Sequence, residues 1–253
     1  MNESLSDEIE QTINQIIRLL HQGNINPEEP LSDNEVKRLL KIVNEYLQKG
    51  LTEGYGTAYT EPDKILLEKL RTNIYTFSAF RDYSIVSDMA RFLFDSKGNL
   101  RTFADFKRDA LQIHKAYNEL WLQAEYNTTV ASGQAAAKWV TIIADREQFP
   151  LLTYKTQGDN NVRDAHRKLN GITLPIEHPF WNTHYPPNAW QCRCFVTQRN
   201  ADAEQTPSEK VTDIPNPPSP FNQNVGKTGE VFNQTHTYFQ QEPKVKQYIN
   251  SQI

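Results

Sequence analysis

A chain of 253 residues with 27 basic and 31 acidic side chains, formal charge -4, carries no general nucleic-acid footprint. Its two cysteines are too few for a disulfide framework and sit two apart, as Cys192 and Cys194, where a bridge would be strained, so a reduced cytosolic state is expected. The acidic start MNESLSDEIEQ lacks a signal pattern and no apolar run reaches the roughly 18 residues needed to span a bilayer, which predicts a soluble intracellular protein with no membrane partner.

Residues 5–22 repeat apolar groups at Ile9, Ile13, Ile16, Ile17 and Leu20, a helical spacing with Ser6 as cap and Gly23 as stop. After NINPEEP, Ser32 and Glu35 form a capping-box pattern that opens a second helix through Val36, Leu39, Leu40, Val43 and Leu47 to Gly50. These two read as a helical hairpin, residues 1–60, closed by the turn-rich joint LTEGYGTAYTEPD. Pro62 starts a third helix carrying Ile65, Leu66, Leu70, Ile74, Phe77 and Phe80. A separate fourth carries Ile85, Met89, Phe92 and Leu93 and ends near Ser96–Asn99. Thr102 with Asp105 caps a long helix to Ala124, and Thr128 begins another that stops before Pro150. Residues 61–149 are thus a helical region.

At Pro150 the pattern changes. LLTYKT reads as a strand, QGDNN as a turn, and Val162–Leu169 as a short helix capped by Asn160 or Asn161 and closed by Gly171. ITLPI and CRCFVTQ are two more extended pieces, giving a small α+β module over residues 150–200. The polar, proline-rich residues 201–253 read as a surface-running or partly disordered arm, with one more helix after Pro243. The fold class is therefore α+β, a mostly helical N-terminal region followed by a small module with short strands and a loop-rich core.

Between Tyr154 and Val196 the chain concentrates both cysteines and three of its six histidines. Three readings compete. Thiolates and imidazoles are the preferred zinc ligands, so Cys192, Cys194 and His166 could share an ion, with His184, His178 or Asp159 as the fourth ligand. A Cys-x-Cys pair in an extended strand holds its sulfurs about 6–7 Å apart, so a turn at Arg193 is needed to close the site. The alternative of reduced structural thiols asks for no ion, since free cysteine is often buried. A second reading is a metal-assisted hydrolase or nuclease in which Asp164 or Asp159 orients His166, although residues two apart on a helix do not face each other. The chain has no nucleophile elbow, phosphate loop or paired-carboxylate motif. The third reading is architectural: Phe180, Trp181, Tyr185 and Trp190 around the Pro186–Pro187 turn form a compact knot, with Trp190 as buried anchor and Arg163 and Arg193 pairing with Asp159, Asp164 or Glu177.

The series Tyr154, Thr156, Asp159, then Val162, Arg163, His166, Leu169, Gly171, then Pro179, Phe180, Trp181, and finally Pro186 through Cys194 resembles the phage Mu F-like head morphogenesis family. EYNTTVASGQAAAKW upstream and PFNQNVGKTGEVF downstream extend the resemblance over roughly residues 115–240. It implies a structural minor head protein of a tailed phage or prophage, made in the bacterial cytoplasm and carried into the virion. The partners it implies are portal and inner capsid proteins, met in assembly or DNA delivery. Relatives with CxxC where this chain has Arg163-Asp164-Ala165-His166 resemble a zinc knuckle; here His166, Cys192 and Cys194 match that set while Arg163 replaces its first cysteine. A local patch of Arg163, Arg167, Lys168 and Arg193 offers a weak DNA contact or, alternatively, loop-pairing cations. The N-terminal helical region is shorter than the resemblance implies for a full-length head protein, as in a truncated prophage copy.

Overall fold

The computed structural model describes residues 3–57 and 60–253; Ala58 and Tyr59 of the turn-rich joint lie outside the described residues. Helix α1, Glu3–His21, buries the expected stripe. It ends where the sequence places the stop: Gly23 takes φ +74°, and its N–H reaches the Leu20 carbonyl while Asn24 reaches that of Leu19. That pair of bonds satisfies the last carbonyls of the helix.

Helix α2 spans Asn34–Tyr55. Its cap is Asp33, not Ser32: the Asp33 carboxylate accepts from the N–H groups of Glu35 at 2.8 Å and Val36 at 3.4 Å. A carboxylate complements the positive end of the helix better than a hydroxyl, and Ser32 is held in a preceding 3-10 turn. Gly50 does not stop the helix; it is buried within it. Helix α3, Glu61–Ala90, is one continuous rod where two helices were expected, because no breaker separates Phe80 from Ile85. Thr102 and Asp105 do form the capping box of helix α4, Phe103–His114. A π-turn over Lys115–Trp121 leads into helix α5, Leu122–Ala144. Thr128, expected as a helix start, is buried in the middle of α5.

The described residues form two compact units that interleave along the chain, Met1–Gln48 with Ile74–Tyr126 and Thr237–Ile253, and Lys49–Asn73 with Asn127–His236. Three of the unit boundaries fall inside α2, α3 and α5, and the fourth lies between His236 and Thr237.

The first unit is organised around a buried ion network that periodicity does not reveal. Arg81 is fully buried. Its guanidinium donates to Glu125 Oε2 at 2.9 Å, Asp82 Oδ1 at 3.0 Å, the Tyr117 carbonyl at 2.7 Å and Asn118 Oδ1 at 2.8 Å. The π-turn makes this possible by presenting the Tyr117 carbonyl, which also takes the Leu122 N–H, together with the Asn118 side chain. Burial opposes the charge on Arg81, but Glu125 and Asp82 more than offset it and hold the guanidinium pKa above its ordinary value. Burial likewise lifts Glu125 and raises Asp82 to about 7 against the pull of Arg81.

The second unit contains the module's sheet. Strand β1, Leu151–Lys155, is central, flanked antiparallel by β2, Thr173–Pro175, and β3, Phe195–Arg199. Short helices follow β1 at Asp164–Arg167 (α6), β2 at Phe180–Thr183 (α7), and β3 at Glu209–Thr212 (α8) and Val225–Thr228 (α9). A last helix, α10, spans Pro243–Gln252 and belongs to the first unit, as the proline signal predicts. The arm expected to run on the surface is instead packed: Val211, Phe221, Val225, Val231, Phe232, Tyr238, Phe239 and Ile249 are buried. Its apolar residues are separated by turns, so they show no period, yet each finds a site. Asn73 Oδ1 accepts from the backbone N–H of Val231 at 2.8 Å and Phe232 at 2.9 Å, and its amide donates to the Phe232 carbonyl. One side chain thereby does the work of a strand partner for that segment.

Within the same unit α2 and α5 approach at backbone distance. A Cβ on Gly54 would overlap the Val130 carbonyl, and one on Gly133 would lie 2.9 Å from the Leu51 carbonyl oxygen. Gly54→Ala is expected to destabilise the protein by about 1–3 kcal/mol through overpacking, read as a lower urea midpoint with an unchanged slope. An unchanged midpoint would show that these helices separate without cost.

Candidate metal centre

The site is assembled by turns, not by regular elements. The helix expected over Val162–Leu169 contracts to the four residues of α6, with Arg163 at its N-cap position in extended conformation and no side-chain cap. Neither Asn160 nor Asn161 caps it. Asp159 organises the preceding turn, its Oδ1 accepting the Asn161 N–H at 3.0 Å. One turn of helix is enough to bury His166.

On the facing loop the cysteines precede strand β3, which starts at Phe195. Gln191 has φ +56°, the left-handed region, and the Cys192 N–H closes a turn onto the Ala189 carbonyl at 3.1 Å. The chain therefore turns immediately ahead of the first thiol. His166 Nδ1 lies 3.7 Å from Cys192 Sγ and 3.6 Å from Cys194 Sγ, and the three ligand atoms lie within 4.8 Å of one another. The left-handed residue of this loop is Gln191, two positions before Arg193, where the turn is expected.

The two loops are stitched together by the groups around this cluster. Arg193 forks onto both oxygens of Asp159 at 2.8 Å each. Arg163 donates to the Trp190 carbonyl at 2.9 Å, not to an acid, and Gln157 donates to the Arg193 carbonyl at 3.2 Å. Tyr154 on β1 is buried and donates to Asn188 Oδ1 at 3.0 Å. Asn188 in turn donates to the Tyr185 carbonyl, fixing the loop that contains the cis Pro186–Pro187 bond. Gly171, with φ +92°, returns its N–H to the Tyr154 carbonyl.

The electrostatics divide the two sulfurs. A hydrogen bond from Cys194, followed by those from His166 and the backbone N–H groups of Asn188 and Cys194, pulls the Cys192 thiol down against its burial. Cys194 is pushed up, first by its bond with Cys192 and then by burial. Burial, with the neighbouring sulfurs, also pushes Tyr154 up, so its hydroxyl keeps its proton and stays a donor.

The structure does not bring the other candidate ligands to this point. His184 stacks on Phe180 at 4.3 Å, with Nε2 at 3.2 Å from the Pro215 carbonyl and Nδ1 at 2.7 Å from Thr183 Oγ1. Asp159 is committed to Arg193, and His178 Nδ1 accepts the Phe180 N–H. Asp164 is almost wholly exposed beside Arg167, so it does not orient His166. Among the cations named for DNA contact, Arg167 donates to the Val162 carbonyl, and Arg163 and Arg193 hold loops. Trp190, expected as the buried anchor, is only partly covered, edge-on to Phe221 and His236. The fully buried ring is Trp181, whose Nε1 donates to the Pro175 carbonyl at 3.0 Å.

Residues 101–197 match the family model described as Phage Mu protein F like protein. The match runs from just before α4 into β3 and contains His166, Cys192 and Cys194. Over this stretch the chain is similar to the Mu F-like family. Among relatives, "Putative capsid assembly protein F" of Escherichia phage Mu is 30% identical over 76 residues, 30% of this chain and 17% of that protein. The Mu-like prophage FluMu F protein of Haemophilus influenzae is 29% identical over 91 residues, 36% of this chain and 22% of that protein. The alignment with these Mu F-like relatives therefore spans about a fifth of their length. No solved structure matches the chain, and no helix among the described residues is long and apolar enough to cross a membrane.

The donor set fits zinc. Zinc–sulfur and zinc–nitrogen bonds of about 2.3 and 2.0 Å in a tetrahedron give sulfur–nitrogen edges of about 3.5 Å. The two observed separations of 3.7 and 3.6 Å lie close to that edge before any adjustment.

Proposed function

We propose that this chain is a structural head-assembly protein of a tailed phage or prophage, acting by contact with other head proteins and not by turnover. The observation that carries this reading is the Mu F-like match over residues 101–197, whose relatives include one named for capsid assembly. Portal and inner capsid proteins are the partners proposed, met first in the bacterial cytoplasm and then in the virion. The test is recovery of the chain from purified particles and by pull-down with the co-expressed portal protein. Absence from both would count decisively against the reading.

Within that role the cluster serves as a staple. Cys192, Cys194 and His166 would hold a zinc ion that ties the loop after Pro187 to α6. Two thiolates and an imidazole are donors of the right softness for zinc, and the ion would supply cross-linking in a module whose strands have only three to five residues. Zinc added at a hundred times its dissociation constant should stabilise the protein by about 2.7 kcal/mol. Thermal melts of the parent and of Cys192→Ser with Cys194→Ser, with and without chelator, measure this. A double variant that responds to zinc as the parent does would place the ion elsewhere.

A further inference from the structure

We propose that the fourth coordination position at Cys192, Cys194 and His166 is filled from outside the chain, by a monodentate anion received beside Arg163. The inference rests on the zinc reading above and adds what completes the centre. Among the described residues only these three side chains converge as a metal-ligating set, while a tetrahedral ion requires four ligands. The nearby carboxylate that could have closed the set, Asp159, has both oxygens engaged by Arg193 at 2.8 Å. His184, the other candidate, is held by Thr183 and the Pro215 carbonyl.

The cluster is also not sealed. Cys192 and His166 are buried, but Cys194 is partly exposed, and all three border a pocket whose other walls include Gln157, Asn161, Arg163 and Gln191. None of those four supplies a thiolate, imidazole or carboxylate. The two arginines at this pocket differ in what they offer. Arg193 is neutralised by its fork onto Asp159, whereas Arg163 touches a backbone carbonyl and has no carboxylate at ion-pair distance among the described residues. A guanidinium free of an acid partner, beside an ion that has two thiolates and one neutral ligand, favours an anion over a neutral donor. A metal centre with three protein ligands and one exchangeable position is the pattern of an open site, in contrast to the sealed four-ligand staples of zinc fingers. The ligand class is a carboxylate or a small inorganic anion of similar size; exchange at the position changes no oxidation state.

Cobalt(II) in place of zinc makes the position visible. The full chain loaded with cobalt(II) is titrated with sodium azide and, separately, with sodium acetate, while equilibrium dialysis checks that the metal stays bound. Thiolate-to-cobalt and ligand-field bands should be present before addition, and azide should shift the ligand-field bands along a saturable, one-site curve. Arg163→Gln should weaken azide binding several-fold, whereas Arg163→Lys, which keeps the positive charge, should retain most of it; cobalt retention on dialysis in each variant checks that the cysteine loop, which Arg163 also holds through the Trp190 carbonyl, is still in place. Bands that ignore saturating azide would mean that a fourth protein ligand closes the site, and the inference falls while the metal reading stands. Cobalt bands absent altogether would remove both. Azide affinity unaltered in Arg163→Gln would overturn the role given to Arg163.

Discussion

Arg81→Met should lower stability by about 3–5 kcal/mol, the range for breaking a buried ion pair from one side. The loss should arise from what stays behind more than from what is removed. Methionine fills much of the arginine's volume, so the cavity is small. Glu125 and Asp82, however, remain buried without their cation, and the Tyr117 carbonyl and Asn118 Oδ1 lose a donor. Both acids already have raised pKa values, Asp82 at about 7, because burial disfavours their charged forms. Without Arg81 those values climb further. A folded-state pKa above the unfolded one adds stability that is fully present below the unfolded value and lost as pH rises through the folded one. The variant should therefore be hurt less at pH 5 than at pH 8, when each is compared with the parent under the same conditions. Adding Glu125→Gln should recover part of the loss, since the second change removes a charge that the first left unpaired. Urea unfolding of parent, single and double variants at both pH values decides it. Equal losses at the two pH values would mean that the cost is packing and not charge.

That network was not legible in the sequence, and the reason is physical. Periodicity finds the apolar face of a helix and is silent on which of its charges are buried. Only the π-turn at Lys115–Trp121 gives the guanidinium its carbonyl and amide partners, and nothing in KAYNELW announces an extra residue in the turn. What depends on local chemistry was readable: the Gly23 stop, the Thr102–Asp105 box, the strand at Leu151 and the helix after Pro243. Readings that depend on continuity were less so. Two expected breaks, after Phe80 and at Thr128, are uninterrupted helix because neither place has a glycine or proline. In the arm, isolated apolar residues between turns carry no period, and their burial is decided by partners such as Asn73, more than 150 residues away. The candidate site lies between these cases. The residue types and spacing of His166, Cys192 and Cys194 pointed to one another, but the loop that leads into the pair passes through a left-handed Gln191, a conformation a glutamine does not advertise. Asp159 was legible both as a ligand and as a partner of Arg193, and the structure shows it with Arg193; nothing in the sequence shows that His184 is held by the Pro215 carbonyl.

Trp181→Ala should cost about 3–5 kcal/mol, the usual loss for a large aromatic removed from a packed core, and clearly more than Trp190→Ala. Sequence alone favours Trp190 as the anchor because it stands next to the cysteines. The structure reverses the order: Trp181 has no exposed surface, while Trp190 keeps part of its ring in solvent. Trp181 is also tied at two polar points. Its indole N–H donates to the Pro175 carbonyl at the end of β2, and its own carbonyl accepts from Asn224 at 3.0 Å. Asn224 caps α9 through the N–H groups of Gly226 and Lys227. Removing the ring empties a space beside Phe180, which packs edge-on to it at 5.0 Å, and slackens the backbone that anchors this cap. The loss should therefore reach α9 and the segment after it, and limited proteolysis of Trp181→Ala should cut between residues 220 and 236 before any site in α1. Trp181→Phe should retain most of the stability, because the Pro175 carbonyl keeps the His178 N–H as a second donor. Denaturation curves for the three variants, with the cleavage pattern mapped by mass spectrometry, measure both effects. If Trp190→Ala proves the costlier change, the module is anchored at the cysteine loop, and the contacts of Trp190 with Phe221 and His236 outweigh a fully buried ring.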